Sequence, residues 1–201
     1  MMHLTDRDLI AAYQKGDDAA LETLLRRYLG PIYRFLFRMV KDAHTAEDLT
    51  QDTFVKVWRN LKRVDPKKDF RSWIYTIAKN TAIDFLRKKP AIPFSDLEQE
   101  EASESFAESI PDVRPLPDDQ FLQKQSAKEL QDLLMRVSPD ARSVILLHDV
   151  EGMTFQEISK NSRESLNTIK SRYRRAFMAL QRMVGQKDPK DVKPKMHPKS
   201  P

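Results

Sequence analysis

The sequence predicts an all-α protein built as two small helical domains joined by a flexible acidic linker. Three observations carry this. Apolar residues recur at spacings of three and four, with none of the sustained two-residue alternation that strands need. Only four of the 201 residues are glycine, too few for a turn-rich all-β chain. The net charge of +5 is unevenly distributed. Residues 1–89 carry 18 basic and 12 acidic side chains, a net +6; residues 90–119 carry one and nine, a net −8; residues 120–201 carry 16 and nine, a net +7.

In chain order, Thr5 with Asp8 three residues on is a helix start, and Gly16 ends that helix. Asp17 or Asp18 caps a second helix through Leu21, Leu24, Leu25 and Tyr28, which Gly30-Pro31 is expected to interrupt. A third segment holds Ile32, Phe35, Leu36, Met39 and Val40. Thr45 opens TAEDLTQDTFVKVWRNL, acidic early and basic late, an order that complements the helix dipole. A basic loop, Lys62–Asp69, precedes a helix from Phe70 to about Lys88. Residues 90–119 contain five prolines and many Glu and Ser, a linker composition whose acids either screen the basic blocks or, as we favour, keep the linker extended. Beyond it, Phe121–Val137 is amphipathic, with Leu130, Leu133, Leu134 and Val137 on one side. Ser138-Pro139 starts a further helix that Gly152 stops. Thr154 and Glu157 form a capping-box pattern, and a polar break, Asn161–Ser165, leads into the last helix. The domains expected are 1–89 and 120–184, with a linker at 90–119 and a disordered basic tail at 185–201.

Composition narrows the function. Without cysteine there are neither disulfides nor thiolate metal sites. No apolar run approaches the roughly 18 residues of a membrane span, and the N-terminus lacks a signal-peptide core, so a cytoplasmic location is expected. His3, His44, His148 and His197 are scattered, and neither a phosphate loop nor a nucleophile elbow is present; no catalysis, metal or cofactor is expected. Two basic blocks suit a polyanionic partner, although solubility alone also accounts for them.

The last helix favours the former. At about 100° per residue, Leu166, Ile169, Tyr173, Ala176, Phe177, Leu180 and Val184 share one face. Asn167, Ser171, Arg174, Arg175 and Met178 lie opposite, with Lys170 at the boundary. A merely solvated face usually mixes charge signs; this one has no acid in its first turns. A short capped helix, a tight break and a basic second helix make a helix-turn-helix, whose second helix enters the DNA major groove.

With these segments in this order, the chain resembles the bacterial sigma-70 family of sigma factors, specifically the small extracytoplasmic-function (ECF) group. The resemblance covers about residues 5–89 and 120–184, the family's regions 2 and 4. It implies a helical region 2 bundle and a region 4 helix-turn-helix domain, binding to core RNA polymerase through the clamp helices of its largest subunit and through its flap, and recognition of the −10 and −35 elements of promoter DNA. It also implies an anti-sigma partner. AEDLTQDTFVKVW resembles the polymerase-docking helix, with Asp48, Gln51 and Asp52 as polar contacts and Phe54 or Val55 as apolar ones; by residue type alone, those acids serve equally well to favour the helix N-terminal half.

Phe70–Lys89 and the loop before it resemble the −10 recognition and melting element. Strand opening needs cations along the backbone and groups that capture unstacked bases. Lys62, Arg63, Lys67, Lys68, Arg71, Lys79, Arg87 and Lys88 supply charge; Val64–Lys68 match the family's base-holding loop, and Asn80 a family asparagine nearby. Trp73 and Tyr75 read either as packing or as stacking residues. In region 4, Lys170, Ser171 and Arg175 match base- or phosphate-contacting positions, flanked by Asn167, Thr168, Arg172 and Arg174; Arg172 falls off the main face.

One departure stands out. Family members carry apolar residues and a glycine through the turn, whereas this chain has Asn161-Ser162-Arg163-Glu164, and Asn167 replaces a common glycine. Buried polar groups without partners are costly, so a looser turn and weak −35 affinity are expected, with fast hydrogen exchange through Ser159–Leu166 as the sign. The competing reading is a stand-alone helix-turn-helix transcriptional regulator, which would bind DNA without polymerase.

Overall fold

The computed structural model describes residues 4–88 and 128–185, and all regular structure among them is helical. The expected linker, residues 90–119, lies outside the described residues, as do residues 186–201 of the tail and residues 121–127 of the amphipathic segment.

The first four helices are α1 (Asp6–Gln14), α2 (Asp18–Val40), α3 (Ala43–Leu61) and α4 (Phe70–Lys88). Local chemistry sets most of their ends. Thr5 and Asp8 form the reciprocal capping box, and Gly16, at φ 105°, turns the chain out of α1 in a conformation glycine adopts at low cost. Asp17 caps α2 by accepting from the amides of Ala19 and Ala20 at 3.0 and 3.3 Å.

Two expectations fail here. Gly30-Pro31 does not interrupt the chain: α2 is one helix of 23 residues. A proline inside a helix costs about 3 kcal/mol. Leu24, Tyr28, Ile32, Phe35, Leu36 and Met39 form a single buried face across it, and each such side chain is worth about 1.5–3 kcal/mol when fully buried. Breaking the helix at Gly30 would throw that face out of register, so packing prevails over local preference. Helix α3 begins two residues before Thr45, because the Asp42 carboxylate accepts from the Thr45 amide at 2.7 Å and caps the helix from Ala43.

Helix α4 lies against α2 and α3. Tyr28 meets Phe70 edge-on at 5.2 Å and Phe35 meets Tyr75 edge-on at 5.4 Å. Ile74, Ala78 and Ala82 complete the buried side, and Lys56 Nζ donates to Thr81 Oγ1 at 2.8 Å to tie α3 to α4.

The later helices are α5 (128–135), α6 (Pro139–Ile145), which widens into a π-turn over Leu146–Val150, then α7 (Phe155–Ser162) and α8 (Leu166–Gly185). Ser138 caps α6 ahead of Pro139, and Thr154 with Glu157 caps α7, both as the sequence predicts. Leu130, expected on the buried side of its helix, is 56% exposed; Phe177 and Val184, expected on the apolar side of α8, are also exposed.

The two helical groups pack against each other through one continuous core. Part of the reason lies at the end of α2. A helix leaves its last carbonyls without intrahelical donors. Gln131 Nε2 donates to Arg38 O at 2.9 Å, and the buried Arg142 guanidinium donates to Met39 O. Arg142 also donates to Leu134 O, Met135 O and Val137 O at 2.8–3.2 Å. Burial lowers its pKa to about 10. Lys41 and Asp132 form an ion pair beside it.

Candidate nucleic-acid interface

The cationic face of α8 is presented by the packing behind it. Ile169 and Ala176 are buried, while Asn167, Thr168, Lys170, Ser171, Arg174 and Arg175 are all exposed. Tyr173 sits in an aromatic group: it meets His148 edge-on at 5.3 Å and Phe155 at 5.1 Å, and its hydroxyl donates to Asp149 at 3.0 Å. Burial, then Asp149, raises the Tyr173 pKa. His148 Nδ1 lies 2.8 Å from Met153 O; a carbonyl only accepts, so Nδ1 carries the proton and the ring is a packing group.

The turn before α8 is not loose, contrary to expectation. Helix α7 runs through Ser162, and Arg163 ends it at φ 56° in the left-handed region. The Glu164 carboxylate receives a bidentate bond from Arg172 at 3.0 and 2.6 Å, and Ser159 Oγ donates to Glu164 O at 2.7 Å. Ser162 Oγ accepts from Lys79 Nζ of α4 at 2.9 Å. Ser165 then accepts from the Thr168 amide at 3.0 Å and starts α8. Each polar residue at 162, 164 and 165 thus has a partner. Arg172, off the main face, holds the turn. Its hydrogen bond keeps the Glu164 pKa below the ordinary carboxylate value, and Glu164 in turn raises that of Arg172.

In the N-terminal group the basic loop is pinned from a distance. Gln14 Nε2 of α1 donates to Val64 O at 2.7 Å, and Lys62 lies over the Tyr13 ring at 5.8 Å. Asp65 Oδ1 accepts from the Lys67 amide at 2.9 Å, and Asp69 Oδ1 from that of Arg71 at 3.1 Å. Lys62, Arg63, Lys67 and Lys68 are exposed around this frame, with Val64 half-buried; Asn80, Arg87 and Lys88 are exposed on α4. Sequence reasoning gave Gln14 no role, since nothing local links it to residues about fifty positions away.

Lys79 departs from expectation. It was assigned to an open basic face, yet it is 7% exposed, with its ammonium on Ser162 and 4.0 Å from Glu164. Burial lowers its pKa, opposed by Glu164. Tyr75 is buried against Phe35 and donates to Glu151. Burial first, then that bond, raises its pKa. Trp73 is half-buried against Phe70.

On α3, Asp48, Gln51, Asp52 and Val55 form one exposed stripe, with Phe54 half-buried beside it. Trp58 extends the stripe and is 55% exposed. The i+3 spacing from Val55 was the signal for Trp58, which the sequence reading did not use. Among the described residues, no group of three or more His, Cys, Asp or Glu stands together to hold a metal, and no helix is long and apolar enough to cross a membrane.

Open cationic helix, sealed turn and basic loop together define a two-part helical nucleic-acid-binding protein. Residues 24–91 match Sigma-70 region 2 and residues 127–180 match Sigma-70, region 4. RNA polymerase sigma factor CarQ of Myxococcus xanthus is 31% identical over 174 residues, covering 87% of this chain and 94% of CarQ. The ECF RNA polymerase sigma factor SigE of Mycolicibacterium smegmatis is 29% identical over 168 residues; the match covers 82% of this chain and 63% of that protein's length. Among solved structures, CnrH in complex with the cytosolic domain of CnrY has the same fold, with a TM-score of 0.66 and 21% identity over 91% of this chain and 99% of CnrH. The chain belongs to the sigma-70 family of RNA polymerase sigma factors, in its ECF group. The stand-alone regulator reading therefore gives way.

Proposed function

We propose that the chain is a promoter-reading subunit that joins core RNA polymerase through the α3 stripe Asp48, Gln51, Asp52, Val55 and Trp58, with Phe54 at its edge. Residues 1–89 contact the −10 element, using the loop cations Lys62, Arg63, Lys67 and Lys68 with Val64 and Asn80, and the exposed α4 cations Arg71 and Arg87. Residues 120–184 read the −35 element through Asn167, Thr168, Lys170, Ser171, Arg174 and Arg175. Residues 90–119 tether the two readers, which raises the effective concentration of the second once the first is fixed. The protein performs no chemistry on nucleotides, works in the cytoplasm and is restrained by an anti-sigma factor.

The observation that carries this is the acid-free, exposed face of α8 in a chain that also matches Sigma-70 region 2. Lys and Arg there suit phosphates or guanine O6 and N7, and Asn and Ser suit base edges. Run-off transcription tests the whole: core polymerase with this protein on fragmented genomic DNA, transcript starts mapped. Discrete starts sharing two upstream elements are expected. An active polymerase that gains no new starts would reject the reading.

A further inference from the structure

Helix α1 is tied to the basic loop by its last turn. Leu9, Ile10 and Tyr13 are buried, so the helix sits in a fixed register on the bundle. The next residue, Gln14, is exposed. Its amide nitrogen faces three backbone carbonyls where α3 runs into the loop: Val64 O at 2.7 Å, with Leu61 O and Lys62 O each at 3.4 Å. A helix leaves its last carbonyls without donors, and one amide group supplies two hydrogens. The bond to Val64 is the short one, and the other two carbonyls share what remains. Tyr13 touches the same stretch, its ring centroid 5.8 Å from the Lys62 ammonium. The amides of Arg63 and Val64 close the end of α3 by donating to Asn60 O and Leu61 O at 2.9 and 3.1 Å, which leaves the carbonyl side of this stretch to α1. The second half of the loop is held differently. Asp65 O accepts from the Lys68 amide at 3.0 Å and Asp65 Oδ1 from that of Lys67 at 2.9 Å, while Asp69 accepts from the Arg71 amide and the Ser72 hydroxyl. Each of these acids bonds to residues two or three positions on, whereas the bond from Gln14 to Val64 O spans 50 residues. The second half shapes itself, and the first half takes its shape from α1.

We propose that Gln14 is a positioning residue for −10 recognition: by holding Val64 O it fixes the first half of the loop in the shape that takes a −10 base, and so narrows which base is taken. The proposal rests on the reading of Val64–Lys68 as the base-holding loop. Gln14 acts through the backbone of Val64, not by contact with a base. Discrimination is a difference between affinities, and a surface that repacks accepts several ligands almost equally. A loop already ordered in its binding shape avoids the cost of ordering when it binds. A support carried on a rigid helix holds that shape better than one carried on another loop. Glutamine suits the task. It is neutral, so it adds no charge to a cationic loop, and its amide donates, which a glutamate of equal length does not. Because Gln14 is exposed, replacing it leaves the core intact.

The test uses the full-length chain with core RNA polymerase on a template library. The library is built from a promoter located by run-off mapping, with its −10 and −35 positions randomised in turn. Sequenced transcripts give the base preference at each position. Gln14→Glu removes the donor at constant length, and Gln14→Ala removes the whole amide. In both, the preference at one −10 position is expected to fall at least about threefold, the size of one lost hydrogen bond. The −35 preferences and the thermal midpoint should stay as in the unsubstituted chain. If both variants keep the original −10 preferences, or lower all transcripts without changing them, Gln14 does not set base choice and the proposal is wrong. A loss at −35 as large as that at −10 marks a general loss of fold and also rejects it. A loop variant, Val64→Ala with Lys67→Ala and Lys68→Ala, separates this failure from that of the underlying reading. Where it alters the −10 preference, the loop reading stands whatever the Gln14 variants do. Should it leave that preference unchanged, Val64–Lys68 does not hold the base and both readings fall.

Discussion

The two reading surfaces differ in what covers them. On α8, Asn167, Lys170, Ser171, Arg174 and Arg175 are exposed, and among the described residues none of its cations Lys170, Arg174 and Arg175 is paired with an acid. On α4, Lys79 is buried and Arg71 and Arg87 lie against Glu151 and Asp140. The sequence shows both as cationic helices and does not separate them. The difference lies in what the rest of the chain places in front of each, so a free cation is a property of the fold and not of the helix that carries it.

The most forceful way to break the contrast is to remove what holds the groups together. Arg142→Met should cost about 3 kcal/mol, because buried carbonyls at two helix ends lose their donor; urea denaturation followed by circular dichroism measures it. An unchanged midpoint would mean that water replaces the guanidinium. Next, Asp52→Arg should weaken core polymerase binding about tenfold or more by placing like charge against a basic partner, with the helical signal unchanged. Normal co-purification with core polymerase would move docking off the α3 stripe.

The contrast is sharpened by paired substitutions. Arg175→Ala should cost about 1–3 kcal/mol at the −35 element if it reads a base, measured on duplex DNA with the free protein. A uniform loss across sequences marks a phosphate contact instead. Arg71→Ala alone should barely change binding by the free protein, because Arg71 is already engaged. The smallest effect is with acid. The Glu164 pKa is lowered in the fold, so its contribution to stability is complete above its ordinary value of 4.5 and is lost as pH falls below that. A thermal melt taken at falling pH should show this loss, and Glu164→Gln should flatten it. An identical pH profile in the variant would assign the acid sensitivity to another group.

Where the determinants are local, the sequence was legible. Thr5 with Asp8, Ser138 with Pro139, and Thr154 with Glu157 each mark a helix start because the bonding groups lie within one turn. The same holds for the outward face of α8 around Lys170 and Arg175. What was not legible depends on residues far apart. Pro31 stays helical because of a face that packs on α1, α3 and α4. Gln14 fixes a loop some fifty residues away. Ser162 and Glu164 read as unpartnered because Lys79, 83 positions from Ser162, reaches them only in the folded chain. Arg172, which does lie nearby, was passed over because the turn was judged by the family's apolar pattern instead of by possible ion pairs.

Arg142 has one further consequence. Among the described residues, its positive charge is held by carbonyl oxygens in a buried site, whereas Arg71, Arg87 and Lys41 face carboxylates nearer the surface. Mobile ions screen exposed pairs and reach a buried one far less. Raising ionic strength should therefore loosen the rim of the contact before its centre, letting the two halves pivot about the end of α2 while still attached there.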